Sequence, residues 1–381
     1  MLNKKLLILT DWYLPGFKAG GPIQSCRNLV EALDKDYSIY VLTSDRDLGD
    51  STAYPGIEVD NWTRLGNIWI FYASPKAWSM KEIKRQISFV QPDIIHLNSA
   101  FSFRFTIQPL VLYWLKKIQG KVILSPRGML QAGALKYKPL KKRLFLQFLR
   151  FSGLPAKIQF HATDVKEVKE IKQHFPRHSS ITMVENFPNF SLPELRKIVK
   201  TPGQLELVYL ARISPIKNLV FILELLTKLT GKGEIRFTIA GKVEDDRYWQ
   251  KCTELIAMLP QNVKVLVHGS VEHAEVLSFL QSYHYYILPT FGENFGHGIF
   301  EALLAGKPVI LSDQTPWRNL QAKGLGWDIP LDQPDTFIEA ILQAINLDQP
   351  GYDVLSAACH QFAIDYRNNN ETRNKYIELY G

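Results

Sequence analysis

Short apolar runs alternate with longer stretches in which apolar residues return every three or four positions. Residues 5–10, 39–43, 68–73, 92–97 and 122–125 are runs rich in Leu, Ile, Val and aromatic residues, and they read as buried strands. Between them, 23–33, 80–90 and 105–118 carry the spacing of helices with one apolar face. The same alternation resumes after a polar stretch at 184–203. Strands are predicted at 205–210, 235–240, 263–267, 284–288 and 309–311, and helices at 219–229, 248–259, 297–305, 335–347 and within 352–380. Strand, loop, helix, strand, repeated in this way, predicts parallel sheets covered on both faces. The length of 381 residues suits two such domains.

The stretch 288–311 organises the second half. A buried strand ends at Pro289, and a loop follows with Gly292, Gly296 and Gly298. A helix then starts near His297 and stops at Gly306 and Pro308. A glycine-rich loop entering a helix exposes backbone N–H groups and the positive end of the helix dipole, which suits a phosphate. Glu293 and Glu301 flank that position, with seven residues between them. Carboxylates beside a phosphate are unfavourable unless they accept hydrogen bonds, as acidic residues do from ribose. Phosphate on the backbone and hydroxyls on the carboxylates point to a nucleotide-sugar. Read from these residues alone, a turn with only a structural role stands equally open, since the glycine spacing matches neither the dinucleotide nor the P-loop pattern.

Arg212 and Lys217 lie in the loop after the 205–210 strand, just before a helix. A guanidinium fork and an ammonium point charge at such a place suit a diphosphate. Gly20 and Gly21 precede the first helix. Arg127 follows the 122–125 strand, where a doubly wound sheet gathers ligands, and is a candidate for an anionic acceptor or the donor phosphate. His161 lies within the strand predicted at 159–163. Asp45 to Trp62 reads as a loop, either solvated or turned toward a ligand.

The sequence PTFGENFGHGIFEALLAGKPVILSD, with Glu293 and Glu301 so spaced, resembles the donor-site signature of family 4 retaining glycosyltransferases (glycosyl transferases group 1). The resemblance implies an α/β fold of GT-B type, two Rossmann-like doubly wound domains facing across a cleft. It implies an acceptor-binding domain over 1–185, a nucleotide-sugar-binding domain over 186–360, and a helix in 361–381 crossing back to the first. The activity implied is transfer of a sugar, with retention, from a nucleotide-diphosphate sugar to a glycan or lipid-linked acceptor, in cell-surface polysaccharide or lipopolysaccharide biosynthesis. Glu293, Arg212 and Lys217 would be catalytic. Gly20, Gly21, Phe295, Gly296, His297, Gly298 and Glu301 would join them in binding the donor. Arg127 and His161 would meet the acceptor. The family's Lys-Gly pair is here Lys217-Asn218, and Asn tolerates the left-handed backbone that glycine would supply. No cofactor and no metal are implied, because the two cations replace a magnesium ion. A sugar-nucleotide epimerase of the same fold, or a non-catalytic carbohydrate-binding subunit, stays open as an alternative.

Composition adds two points. The net charge is +8, and six of the cations fall between Lys136 and Arg150 without an acid, beside an apolar aromatic helix face. Basic amphipathic segments lie on anionic membranes, and they also occur as ordinary solvated helices. No nucleic-acid module is recognised, so nucleic acid is not an expected partner. Cys26, Cys252 and Cys359 are too far apart for a disulfide or zinc framework, which suits a reducing compartment. Residues 6–9 are too short for a signal segment, so a cytoplasmic protein is expected, either soluble or peripheral on the inner face of a membrane.

Overall fold

The computed structural model describes residues 4–131, 135, 139–176, 180–189 and 193–381. The chain divides into two compact units. One holds residues up to Phe187 together with Asn370–Gly381, and the other is Pro188–Asn369. The second unit thus ends nine residues later than position 360. Helix Gln349–Asn368 runs unbroken through that position, and the chain breaks only at Asn369 and Asn370.

In the first unit the strands are β1 Lys5–Leu9, β2 Ser38–Ser44, β3 Trp62–Leu65, β4 Ile68–Ala73, β5 Ile94–Leu97, β6 Lys121–Leu124, β7 Gln159–Ala162 and β8 Ser180–Met183. They form one sheet in the order β3-β4-β2-β1-β5-β6-β7-β8. Only β3 runs antiparallel, paired with β4 through Thr63 and Ile70. Leu7, Leu9, Ile95, Leu97, Val122, Leu124 and Phe160 fill the core between sheet and helices. Sequence patterning missed β3 and β8. Both are four-residue edge strands of half-exposed residues, and neither carries an apolar run. The 45–62 segment is not simply solvated: Asp45 and Asp47 are buried, and Asp47 Oδ2 accepts from the backbone N–H of Phe17 (2.7 Å) and Lys18 (3.0 Å).

The terminal helix Glu371–Tyr380 belongs to this first unit. Arg373 pairs with Asp36 at 2.7 Å. Lys4 and Lys121 donate to the carbonyls of Gly381 and Leu379, where cations meet the negative end of the helix.

The second unit contains β9 Gln204–Leu210, β10 Glu234–Ala240, β11 Val263–Gly269, β12 Tyr285–Leu288, β13 Val309–Ser312 and β14 Gly326–Ile329, all parallel. Their order is β11-β10-β9-β12-β13-β14. This is the doubly wound order, with its reversal between β9 and β12. Ligands in such sheets bind beyond the carboxyl ends of the strands at the reversal. The loops that leave β9 and β12 there are the ones carrying Arg212 to Lys217 and Thr290 to Gly298. The short helix Val276–Leu280 and strand β14 were not legible in the pattern, being only five and four residues long.

Candidate active site

The two loops of the second unit are stitched together. Thr290 Oγ1 and the Phe291 N–H both donate to the carbonyl of Ile216, at 3.0 and 2.8 Å. The N–H of Glu293 donates to Gln314 O, and Ser312 Oγ to Thr290 O. The first loop turns through a short 3-10 helix, Pro215–Lys217. Asn218 then adopts the left-handed conformation (φ 57°, ψ 41°) that starts helix Leu219–Thr227. This is the backbone that glycine would give, supplied here by asparagine.

The stitching brings Lys217 against Glu293. Their side chains form an ion pair, and only 11% and 16% of them is exposed. Arg212 goes elsewhere: it is half exposed and binds Glu244 of the loop after β10, at 2.7 Å.

Glu301 lies in the second turn of helix His297–Leu304 and is 5% exposed. Asn189 Nδ2 lies 3.4 Å from Glu301 Oε1, and His273 Nδ1 lies 3.6 Å from the same oxygen. The carboxylate is thus addressed by the segment before β9 and by the loop after β11. Neither partner was foreseen, because positions 189 and 273 carry no local signal linking them to 301. Beneath the site is the buried Tyr286. Burial, then the nearby carboxylates of Glu293 and Glu301, hold its hydroxyl well above the usual tyrosine range. One buried ring therefore senses both carboxylates.

The loop between them is anchored by Phe295. Its ring is buried beside His297 (4.8 Å), Trp317 (5.3 Å) and Phe300 (6.1 Å), and its carbonyl accepts from Trp317 Nε1. The phenyl group belongs to the core, so only the backbone of Phe295 can face an anion. Gly296 has φ 78°, and a Cβ there would stand 2.7 Å from Ile299 Cδ1. At Gly298 a Cβ would meet the Tyr286 hydroxyl at 3.1 Å. Gly296 is therefore favoured by its left-handed conformation, and a side chain at 298 would crowd the tyrosine hydroxyl. No side chain caps helix His297–Leu304 among the described residues. Lys242 and Val271 follow β10 and β11; Val271 packs on the core.

In the first unit, Gly20 has φ 64° and Gly21 opens helix Gly21–Leu33, again without a side-chain cap. Arg127 has φ 55° just beyond β6, a conformation costly for a residue with a side chain. Its Nε donates to Asn98 Oδ1 at 2.6 Å and its Nη1 to Asn186 Oδ1, so the guanidinium is gripped from two sides.

His161 is fully buried, which corrects the expectation that it meets an acceptor. It sits in a chain of buried hydrogen bonds. Tyr380 O–H lies 2.6 Å from His96 Nδ1, and His96 Nε2 lies 2.7 Å from Ser125 Oγ. Ser125 Oγ is 2.7 Å from His161 Nδ1, and His161 Nε2 is 2.9 Å from Val184 O. A carbonyl accepts only, so His161 Nε2 must carry hydrogen. Every donor upstream is then fixed in turn back to Tyr380. Both imidazoles are neutral in this arrangement. Burial, aided by Arg127, holds His161 down to about 3, and burial holds His96 well below its usual range.

Residues 193–359 match the model of the glycosyl transferases group 1 family. A phosphatidyl-myo-inositol mannosyltransferase of Mycolicibacterium smegmatis is 29% identical over 138 residues, which is 35% of this chain. The matched region spans only 34% of that relative. Sucrose-phosphate synthase from Thermosynechococcus elongatus superposes with TM-score 0.71 at 14% identity, over 99% of this chain and 98% of that one. Anabaena HepE, solved with UDP-glucose, gives 0.67 at 13% identity over 98% of both chains. At such identities the structural likeness establishes the fold alone. The chain has the GT-B fold, and the match to the group 1 glycosyl transferases lies within residues 193–359.

Proposed function

We propose that the chain transfers a sugar, with retention and without a metal, from a nucleotide-diphosphate sugar to a glycan or lipid-linked acceptor. The observation that carries this reading is the meeting of Lys217 and Glu293 on the two loops at the reversal of the second sheet, with Glu301 in the helix beyond. Lys217, Arg212 and the N–H groups of Phe295 to Gly298 stabilise the departing diphosphate, where negative charge grows in the transition state. Glu301 accepts the ribose hydroxyls, and Glu293 the hydroxyls of the donor sugar. Gly20 and Gly21 serve the donor phosphates, and Arg127 an anionic group of the acceptor. The anomeric carbon–phosphate oxygen bond breaks, the bond to the acceptor oxygen forms on the same face, and the acceptor proton passes to the leaving diphosphate. HepE, a neighbour in fold, is solved with UDP-glucose, which supports a nucleotide-sugar as donor. The glycan synthesised is a cell-surface polysaccharide or lipopolysaccharide in this reading.

The test is a metal-free thermal-shift panel of nucleotides and nucleotide-sugars. Binding to the folded state raises the midpoint with the logarithm of ligand over its Kd. One diphosphate family should raise it, and Glu301→Ala should abolish the shift. A full shift retained in Glu301→Ala removes the ribose assignment. No shift by any member of the panel leaves a carbohydrate-binding subunit as the better reading.

A further inference from the structure

Helix Pro139–Phe151 in the first unit carries apolar residues on two sides. Phe145 and Leu149 are buried, four residues apart, and fasten it to the core. Leu140, Leu144 and Phe151 recur at i, i+4 and i+11 on another face, and they are 70, 58 and 81% exposed. A solvated surface helix needs no such second stripe. Lys141 borders it on one flank, and Arg143 and Arg150 on the other; all three are exposed. Lys136 and Lys138 lie outside the described residues.

A second element extends the patch. The end of helix Gln108–Trp114 lies against the same helix: Trp114 stacks edge-on to Phe148 at 5.7 Å, and its Nε1 donates to Ser152 O at 3.2 Å. Trp114, Leu115, Lys116 and Lys117 are all exposed. The charge pattern is one-sided over a long span. Between Asp93 and Asp164 the sequence has no Asp or Glu and twelve Lys or Arg. Apolar side chains at the centre, cations around them and an indole at the edge match the chemistry of an anionic bilayer surface. A nucleic acid would match the charge but not the aliphatic stripe. No helix among the described residues is long and apolar enough to cross a membrane, so the contact is interfacial.

We infer that this two-helix patch docks the chain on an anionic lipid bilayer, with Leu140, Leu144 and Phe151 entering the interface and Lys116, Lys117, Lys141, Arg143 and Arg150 facing the lipid phosphates. The inference stands on the first unit alone and does not depend on the transfer reading.

The test is co-sedimentation of the full chain with vesicles of phosphatidylglycerol and phosphatidylcholine, and with phosphatidylcholine alone. Binding is expected to the mixed vesicles only, and to fall with salt. Each cation removed should weaken partition about fivefold, so Lys141→Ser with Arg143→Ser and Arg150→Ser should weaken it about a hundredfold. Leu144→Ser with Phe151→Ser should weaken it as well. These positions are exposed, so the thermal midpoint and the nucleotide response should match the unaltered chain. Unchanged partition in either variant overturns the proposal. So does equal binding to neutral vesicles. If the apolar variant instead converts an oligomer to a monomer and leaves vesicle binding intact, the stripe is an interface between copies, and the proposal fails.

Discussion

Glu293→Gln should tighten the binding of a nucleoside diphosphate while it slows transfer. Lys217 is already neutralised by Glu293, and both side chains are largely withdrawn from water. Two unit charges about 4 Å apart at an effective dielectric near 20 attract by roughly 4 kcal/mol. Desolvation offsets much of this, yet removing one partner of such a pair still costs about 3 kcal/mol. An incoming diphosphate has to share Lys217 with a like-charged carboxylate. With Gln at 293 the ammonium keeps no carboxylate partner among the described residues, and the diphosphate supplies the missing charge. The ligand then recovers part of that 3 kcal/mol, about 1.4–2.8 kcal/mol, which is a ten- to hundredfold lower Kd. Calorimetric titration of both proteins with the diphosphate that shifts the midpoint most reads this directly. Denaturant unfolding should show the free variant less stable by a similar amount. Glu244→Gln is the control: Arg212 is half exposed, so loss of its partner should change stability by less than about 1 kcal/mol. Equal or weaker diphosphate binding by a folded Glu293→Gln protein would refute the competition, and with it the placing of the phosphates at Lys217.

Acid lability should trace to the buried histidines. His161 is held down to about 3 and His284 to about 4, chiefly by burial, whereas both titrate near 6.5 when unfolded. The unfolded chain therefore binds more protons between these values. The stabilisation is complete above about pH 6.5 and is lost as pH falls toward 3–4, at about 1.4 kcal/mol per pH unit for each histidine. Denaturant unfolding at several pH values should show this slope, and His161→Asn should reduce it; an unaltered slope would assign the lability elsewhere. Gly296→Ala combines a left-handed backbone with a 2.7 Å approach to Ile299. It should cost about 1–2 kcal/mol and weaken nucleotide binding with it; a midpoint equal to the parent would mean that the loop relaxes freely.

Much of the fold was legible because burial imposes period. Strands β4, β9, β12 and β13 and helices Met80–Val90 and Pro334–Asn346 lie within a residue or so of their apolar patterns. That a loop follows β9 and another follows β12 was legible too, since prolines and glycines interrupt the apolar runs there. The left-handed turn at Asn218 was an expectation of the family resemblance, where glycine is usual. Short edge strands, β3 and β8, had no such signal, because an exposed four-residue ladder needs no apolar run.

What the sequence by itself determined is which loops follow which strands, and so which residues stand at the carboxyl ends of the parallel strands in the two sheets. It could not determine partners. Lys217 finds Glu293, Arg212 finds Glu244, and Glu301 finds Asn189 and His273, across separations of 76, 32, 112 and 28 positions. His161, by pattern a residue within a strand, is turned inward by Ser125, His96 and Tyr380. The basic helix likewise showed its charge in the sequence. Only packing decided that Phe145 and Leu149 face the core and leave Leu140, Leu144 and Phe151 outside. The difference is physical. Periodicity records how often a chain returns to one face, whereas the strand order decides which distant side chains share that face.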